Sequence, residues 1–127
     1  MAETCAAAAA EKPGSDADVF ETCPVAKAFE ITGSKWRLVV LQCLYLWGEQ
    51  RFTELQEAST ADSPTLARVL EELQERDLVE RRVEDRPIAT YYTLTERGAG
   101  LADVFEAFEE WAVEWADAEV PAEALPE

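Results

Sequence analysis

Histidine is absent from this 127-residue chain, and its three cysteines are widely spaced, with no Cys-x-x-Cys pair among them. Most zinc sites and all histidine-dependent catalytic arrangements therefore lack their residues. The sequence also contains no nucleotide-binding glycine loop and no nucleophile–base pair. We expect a protein that is not an enzyme, with no catalytic residue, no metal site and no cofactor.

Long apolar runs are also missing. The longest, residues 38–47, is interrupted by Gln42 and is too short to cross a membrane. Glu3 and Glu11 stand where an export signal would be basic. An odd number of cysteines argues against a disulfide framework and favours a reducing compartment. These features predict a cytoplasmic protein that does not bind membranes.

Basic residues are scarce, since 27 acidic residues oppose 11 basic ones and the net charge is −16. Residues 35–95 hold eight basic and eleven acidic residues, whereas residues 96–127 hold one and ten. Acidic, lysine-poor surfaces are typical of a cytoplasm at molar salt, where the Debye length is about 3 Å and acidic groups maintain solubility. We therefore expect a halophilic archaeal source. The alternative is an acidic protein from an ordinary cell that does not touch DNA.

Apolar spacing predicts several helices. Pro24 suits the first turn of a short helix that ends near Ile31. A central core helix is predicted over residues 35–47, ending at Gly48. Its expected buried residues are Trp36, Val39, Val40, Cys43, Leu44 and Trp47.

A pair of helices joined by a short turn should follow. Thr53 is predicted to cap a helix through Ala58, with Gln56 completing a capping box. Asp62 or Ser63 should cap the next helix, which runs to about residue 76. The buried stripe of that helix is predicted to be Leu66, Val69, Leu70 and Leu73.

Two strands and a long helix complete the pattern. Residues 78–84 and 91–94 favour strands, and residues 85–87 between them favour a turn. Arg51 and Phe52 are predicted to add a one-residue pairing to this hairpin. Thr95 should cap one continuous final helix. Its apolar face comprises Leu101, Val104, Phe105, Phe108, Trp111, Ala112 and Trp115.

This order predicts an α+β, mostly α fold: a winged helix-turn-helix with a two- or three-stranded wing sheet and flanking dimerisation helices. We divide the chain into a flexible N-terminal arm (1–18), the winged domain with its dimerisation helices (19–117) and a C-terminal tail (118–127).

Short motifs recur along these elements in a fixed order. They are Cys23-Pro24-Val25-Ala26, Gly33-Ser34-Lys35-Trp36, Arg51-Phe52-Thr53-Glu54-Leu55, Leu66 with Leu70-Glu71-Glu72-Leu73, Asp77-Leu78-Val79-Glu80-Arg81 and Tyr92-Thr93-Leu94-Thr95-Glu96-Arg97-Gly98. The series resembles the HxlR-type transcriptional regulators, a MarR-like branch of small dimeric winged-helix DNA binders. The resemblance covers about three quarters of the chain and implies a regulator that binds double-stranded DNA as a homodimer.

The second helix of the predicted helix-turn-helix would read bases in the major groove. Its candidate contacts are Ser63, Thr65 and Arg68, of which Arg68 is able to bind guanine through two hydrogen bonds. The alternative for Arg68 is a solvated ion pair with Glu71 or Glu72. The family pattern has one more residue here and an arginine where this chain has Val69, so its base contacts do not carry over.

Further basic candidates lie on the wing and at the core helix. Arg81, Arg82 and Arg86 are predicted to follow the phosphate backbone or enter the minor groove. The alternative is cross-strand pairing with Glu80, Glu84 and Asp85. Lys35 and Arg37 could add phosphate contacts, because helix N-termini suit anions.

Cys23 occupies the characteristic cysteine position of the family, which implies a redox-sensing thiol. A helix N-terminus lowers a thiol pKa and so favours the reactive thiolate. The alternative is an ordinary small apolar residue. Cys43 should be an inert core thiol, and Cys5 in the arm is within reach of a Cys23 of the same or another chain.

The apolar face of the final helix has two interpretations, core packing or a dimer seam. Three large aromatics on it favour the seam, as the resemblance also implies. The predicted interface is Val25, Phe29, Leu101, Phe105, Phe108, Trp111 and Trp115. A winged-helix protein–protein interaction module that does not bind DNA is the competing function. The sequence identifies no operator and no effector.

Overall fold

The computed structural model describes residues 23–119. Its helices are α1 (Pro24–Thr32), α2 (Lys35–Trp47), α3 (Phe52–Ser59), α4 (Ser63–Glu75), α5 (Glu96–Ala99) and α6 (Ala102–Trp115), and its strands are β1 (Gln50–Arg51), β2 (Val79–Asp85) and β3 (Ile88–Leu94). The chain divides into two compact units, Met1–Lys35 and Trp36–Glu127. The mostly helical α+β prediction is confirmed. The predicted arm (1–18) and most of the tail lie outside the described residues.

In the first unit, α1 begins as predicted, with Pro24 in its first turn and Cys23 as the N-cap residue. The Lys27 N–H donates to the Cys23 carbonyl at 2.9 Å, which closes the first turn. Val25 and Phe29 are 72% and 66% exposed, so α1 presents apolar side chains on its surface.

In the second unit, α2 and α4 supply much of the core. Their fully or nearly buried residues are Val40, Leu41, Cys43, Leu44, Leu66, Val69, Leu70 and Leu73. The predicted stripe of α4 is confirmed. The prediction for Trp47 is wrong, since it is 47% exposed. Trp47 is the last residue of α2, and Gly48 turns the chain away in a left-handed conformation with φ of +74°.

The first helix of the helix-turn-helix, α3, begins two residues earlier than predicted. Its first residue is Phe52, so Thr53 lies inside the helix and is not its cap. The Glu54 carboxylate, in place of Gln56, accepts from the Arg51 N–H at 2.9 Å. This bond satisfies a backbone donor that would otherwise lack a partner at the helix start.

The second helix, α4, has a side-chain cap as predicted. Asp62 is the cap residue, because its Oδ1 accepts from the Thr65 N–H at 2.8 Å. Pro64 lies in the first turn, where its missing N–H costs no helical hydrogen bond. The Asp62 cap and Pro64, both short-range features, therefore fix where α4 starts.

The wing is an antiparallel sheet with strand order β1–β3–β2. Strand β1 pairs over two residues, Gln50 with Tyr92 and Arg51 with Tyr91, so Phe52 is not part of the pairing. Strand β3 starts at Ile88, three residues earlier than predicted, because residues 88–90 complete the ladder opposite residues 83–85. The predicted turn is confirmed and narrows to residues 86–87.

Thr95 closes the base of the wing. Its hydroxyl donates to the Asp77 carbonyl at 2.7 Å and accepts from the Gly98 N–H at 3.0 Å. Its own N–H donates to the Leu78 carbonyl at 3.1 Å. The chain therefore enters and leaves the hairpin at one hydrogen-bonded point.

The final helix is not continuous, contrary to the prediction. Helix α5 ends at Ala99 and α6 begins at Ala102, with Gly100 and Leu101 between them. Helix α5 approaches the backbone of the wing so closely that a Cβ added to Gly98 would lie 2.2 Å from the Leu78 carbonyl oxygen. The short helix is fixed by this approach, and α6 starts after it.

Phe105 belongs to the core of the second unit. It is 6% exposed, and its ring lies 5.8 Å from the ring of Tyr45, centroid to centroid. Tyr45 OH in turn donates to Glu106 Oε1 at 3.1 Å. The structure corrects the assignment of Phe105 to a dimer seam, because its ring packs against α2 and contributes little exposed area.

Candidate nucleic-acid interface

The first turns of α4 carry the side chains predicted to face DNA bases. Ser63 is exposed, and its Oγ accepts a hydrogen bond from Gln56 Nε2 at 2.7 Å. Thr65 is half-buried, and the Arg68 side chain, one turn later, is 59% exposed. The N-terminal residues of this helix are the ones that contact base edges in helix-turn-helix proteins.

Glu72 binds two of the predicted DNA-contacting arginines. Its Oε1 lies 3.2 Å from Arg37 Nε, and its Oε2 lies 3.1 Å from Arg68 Nη1. Burial, the largest single influence, raises the pKa of Glu72, but the hydrogen bonds from Arg37 and Arg68 together outweigh it and hold the pKa below its usual range. The carboxylate is therefore ionised at neutral pH.

The predicted phosphate contact of Arg37 conflicts with this geometry. Its side chain is 14% exposed and is occupied by Glu72, so it would have to leave the ion pair to reach DNA. The alternative for Arg68, an ion pair with a glutamate one turn on, is the arrangement that the structure shows. Lys35 is exposed at the start of α2.

The three arginines of the wing have different surroundings. Within residues 23–119, Arg81 and Arg86 are exposed and form no ion pair. Arg82 instead binds two carboxylates, with Nη2 at 2.9 Å from Glu49 Oε1 and Nη1 in a short contact with Glu84 Oε1. These hydrogen bonds, first that of Glu84 and then that of Glu49, raise the pKa of Arg82.

Arg82 also belongs to a row of side chains across the sheet. Tyr91 on β3 is in register with Arg82 on β2 and with Arg51 on β1. The guanidinium carbons of Arg82 and Arg51 lie 4.6 Å and 5.9 Å from the centroid of the Tyr91 ring. Both distances fall within cation–π range. The row and the two ion pairs tie Arg82 to the sheet, whereas Arg81, one residue earlier on the strand, lies on the opposite face.

An exposed apolar surface runs along α6. It comprises Val104, Phe108, Trp111 and Trp115, which are 43%, 58%, 60% and 69% exposed. Leu101, just before α6, is half-buried. The spacing places these four side chains on one face of the helix. The structure thus leaves exposed the apolar face that the sequence predicted, without Phe105.

The described cysteines are both buried but differ in chemistry. Cys23 is 5% exposed and is disulfide-bonded. Cys43 is a free thiol in the core, and burial raises its pKa, which makes the reactive thiolate scarce. The prediction that Cys43 is a buried core thiol is confirmed. Cys5 lies outside the described residues.

Sequence reasoning named Glu84 among the alternative partners of the wing arginines, but it missed Glu49, the second carboxylate that holds Arg82, and the aromatic ring beside it. Glu49 lies 33 residues before Arg82, and no local spacing rule joins them. The sequence predicts a strand at Tyr91, but the place of its ring between two arginines depends on the register of three strands. A first strand placed at residues 50–51 would have given that signal, because Arg51 then faces Tyr91.

Two kinds of site are absent from the described part of the chain. No helix within residues 23–119 has the length and apolar character needed to span a bilayer. The same residues contain no group of three or more histidine, cysteine or acidic side chains arranged to hold a metal ion.

Comparison with known proteins relates this chain to a family of regulators. The sequence profile described as HxlR-like helix-turn-helix matches residues 31–120. The HTH-type transcriptional regulator YodB of Bacillus subtilis (strain 168) is 37% identical over 93 residues, which cover 71% of this chain and 82% of YodB.

Solved structures give the same result. The reduced form of the transcriptional regulator YodB from B. subtilis superposes with a TM-score of 0.65 at 35% identity, covering 74% of this chain and 94% of the YodB chain. The redox regulator HypR in its oxidized form has a TM-score of 0.66 at 27% identity, covering 77% of this chain and 100% of the HypR chain. The winged-helix prediction is confirmed.

Proposed function

The chain belongs to the HxlR-like helix-turn-helix family, and we propose on that premise that it is a sequence-specific DNA-binding transcriptional regulator acting as a homodimer. One observation carries the proposal. Exposed arginines lie on two neighbouring parts of the winged helix-turn-helix. Arg68 lies in the N-terminal half of α4, and Arg81 and Arg86 lie on the hairpin that follows it. This is the arrangement by which winged helices read a groove and bind the backbone beside it.

In the proposed complex, α4 enters the major groove. Ser63, Thr65 and Arg68 face bases or the adjoining phosphates, and Arg81 and Arg86 lie along the backbone. Lys35 adds a phosphate contact at the start of α2. Two copies would read half-sites about 34–36 Å apart, one helical turn of DNA.

The proposed dimer uses the exposed apolar face of α6, with Leu101 at its edge, and Val25 and Phe29 of α1. Large apolar side chains clustered on one helix face, as on α6, mark interaction sites in soluble proteins. A second copy of the chain is the occupant we propose, because a homodimer matches a pseudo-palindromic operator.

We further propose that the regulator responds to oxidation of Cys23. The solved relatives include a reduced form of YodB and an oxidized redox regulator, HypR. In this chain, Cys23 is the N-cap residue of α1 and is disulfide-bonded, so its sulfur is chemically able to change redox state. Cys43 is the weaker candidate, because it is a free thiol whose pKa is raised by burial, which makes the reactive thiolate scarce.

We propose that the source is a halophilic archaeon and that the protein acts in the cytoplasm. The net charge of −16 supports the halophilic source, because like charges repel one another unless salt screens them. The melting temperature is then expected to rise between roughly 0.1 M and 2 M potassium chloride, over which the Debye length falls severalfold. A melting temperature that does not change over that range would overturn the halophilic origin.

We keep the proposed division into an arm (1–18), a domain (19–117) and a tail (118–127).

The alternative is a winged-helix interaction module that binds a protein instead of DNA. The ion pairs of Arg37 and Arg82 favour it, because they occupy two predicted DNA contacts. The strongly acidic surface would then bind a basic partner.

A selection from random DNA duplexes separates the two functions. The protein is incubated with a random duplex library over the same range of potassium chloride concentrations, and bound duplexes are selected and sequenced. Enrichment of one pseudo-palindromic sequence supports the regulator. Failure to enrich any sequence at any salt concentration, with the protein folded by circular dichroism, supports the interaction module.

A further inference from the structure

Glu72 connects the reading helix to the core helix through two arginines. It lies on α4 one turn after Arg68 and binds that side chain through Oε2, while Oε1 binds Arg37 of α2. The side chains of Arg37 and Glu72 are 14% and 24% exposed, so this half of the cluster is well packed. Arg68, at 59%, is the member that remains open to solvent.

An arginine that reads a base must give up rotamer freedom when it binds. A guanidinium that is already held by a fixed partner loses less of that freedom. The ion pair uses one donor nitrogen of Arg68, Nη1, and leaves donors on the same planar group for acceptors on a base. Ion pairing with Glu72 and hydrogen bonding to guanine are therefore compatible.

We propose that Glu72 is a positioning residue for base recognition: anchored by Arg37, it holds the guanidinium of Arg68 in one orientation for a guanine in the major groove. The inference rests on the proposed function. Glu72 itself touches no DNA, and it acts through Arg68.

The charge of Glu72 gives this arrangement a second effect. A carboxylate beside the reading helix repels phosphates of every sequence alike, because phosphate interactions carry little sequence information. Its orienting effect, in contrast, stabilises only complexes in which Arg68 hydrogen-bonds to the guanine that it recognises. Glu72 should therefore lower affinity for nonspecific DNA while raising the ratio between specific and nonspecific affinity.

The test uses the full chain and the duplex enriched by the selection described above. Affinities are measured for that duplex, for duplexes with single base-pair changes, and for a scrambled duplex. The variants are Glu72→Gln, Arg68→Ala and the double variant. Glu71→Gln is the matched control, since it removes the same charge from the neighbouring, exposed position without touching the Arg68 ion pair.

Arg68→Ala is expected to relax the preference at one base pair. Glu72→Gln should lower discrimination at that same base pair about fivefold or more, on the scale of one well-oriented base contact. Both Glu72→Gln and Glu71→Gln should bind scrambled DNA more tightly, because each loses a negative charge. The double variant should discriminate no worse than Arg68→Ala alone, since the two residues act as one unit.

Arg37→Gln provides a second test, which leaves the Arg68–Glu72 pair in place. Loss of the anchor should lower discrimination at the Arg68 base pair and at no other. The Arg37→Gln variant tests the positioning role of Glu72 if Glu72→Gln does not fold, as judged by circular dichroism.

The inference is overturned if Glu72→Gln and Glu71→Gln change discrimination equally, or if the losses of Glu72→Gln and Arg68→Ala add. It is also overturned if a duplex is selected but Arg68→Ala leaves its base preferences unchanged, in which case the proposed function stands. Failure of the wild type to select any duplex overturns the proposed function and the inference together.

Discussion

The guanidinium of Arg82 lies 2.9 Å from Glu49 Oε1 and joins the second wing strand to the residue just before β1. A hydrogen bond to Glu84 and the Tyr91 ring hold the same side chain from two other sides. Arg82 is thus a structural residue of the sheet, whereas the neighbouring Arg81 has no ion-pair partner among the described residues. Two adjacent arginines on one strand consequently have different roles.

Arg81→Ala should weaken binding to all DNA sequences alike and reduce the slope of log affinity against log salt by about 1. Arg82→Ala should change that slope less, because its charge is already offset by Glu49 and Glu84. Affinities for the selected and scrambled duplexes at several potassium chloride concentrations measure both slopes. An equal loss of slope in the two variants would show that Arg82 leaves its carboxylates to bind phosphate.

Gly98→Ala should lower the free energy of unfolding by about 1–3 kcal/mol, as for overpacked sites. The added Cβ would lie 2.2 Å from the Leu78 carbonyl oxygen, and both partners are backbone that must move. Gly100→Ala is the control, because its nearest contact, the Arg97 carbonyl oxygen, is 3.2 Å away. Urea denaturation at high salt measures both variants, and equal losses would contradict the close approach of α5 to the wing.

Asp62→Ala should lower the melting temperature at pH 7 by removing the cap of α4, whereas Asp62→Asn, which keeps an acceptor, should change it little. The hydrogen bond from the Thr65 N–H holds the pKa of Asp62 below its usual range. A lowered folded-state pKa gives stabilisation that is present above the unfolded-state pKa of about 3.9 and is lost as pH falls through the folded-state value.

Melting curves from pH 7 downward measure this effect. The wild type should lose part of its advantage over Asp62→Ala in acid, because the protonated carboxyl is a weaker acceptor. Asp62→Asn is the control, since its amide does not titrate and its advantage over Asp62→Ala should stay nearly constant. An advantage of the wild type that does not change with pH would refute the charged cap.

Trp111→Glu should convert the proposed dimer to a monomer, because it would bury a charge in the α6 interface. Val113→Glu is the matched control: it places the same charge on the same helix, at a 45% exposed position on a different face. Light scattering at molar salt gives the mass of each variant. An unchanged mass for Trp111→Glu would place the interface elsewhere.

Reduction of the Cys23 disulfide should change the DNA affinity of the wild type, and mild oxidant should restore it, if Cys23 is the sensor. Cys23→Ser should show neither change. Cys43→Ser should keep the response, because the raised pKa of the Cys43 thiol makes its reactive thiolate scarce. Titration of the selected duplex with reduced and with reoxidised protein measures the response. An identical response in wild type and Cys23→Ser would remove Cys23 from the mechanism.

Local patterns in the sequence are sufficient to predict most of the fold. Asp62 followed by Pro64 marks the start of α4, and the apolar spacing of α4 gives its buried stripe, because capping and helical periodicity are short-range effects. The break after α5 is not visible in that way. It depends on the contact between Gly98 and Leu78, which are far apart in the sequence.

The candidate site is less predictable than the fold. The pairing of Arg68 with Glu72 follows from one helical turn and is among the predicted alternatives. The sequence predicts that Arg37 faces phosphate, but its partner Glu72 lies 35 residues away on another helix. The ion pair of Arg37 is thus decided by a long-range neighbour, which charge patterns in a sequence do not specify.

The hydrogen bonds of Thr95 have a consequence for how the wing can vary. Since Thr95 joins Asp77, where the chain enters the hairpin, to Gly98, where it has left it, the strands beyond this point begin and end at fixed positions. We therefore expect that the far tip of the hairpin, around Arg86 and Pro87, can be lengthened, shortened or exchanged while its base stays attached to α5. The hairpin can then change how strongly a protein of this fold binds the DNA backbone, while α4 keeps its position for base recognition.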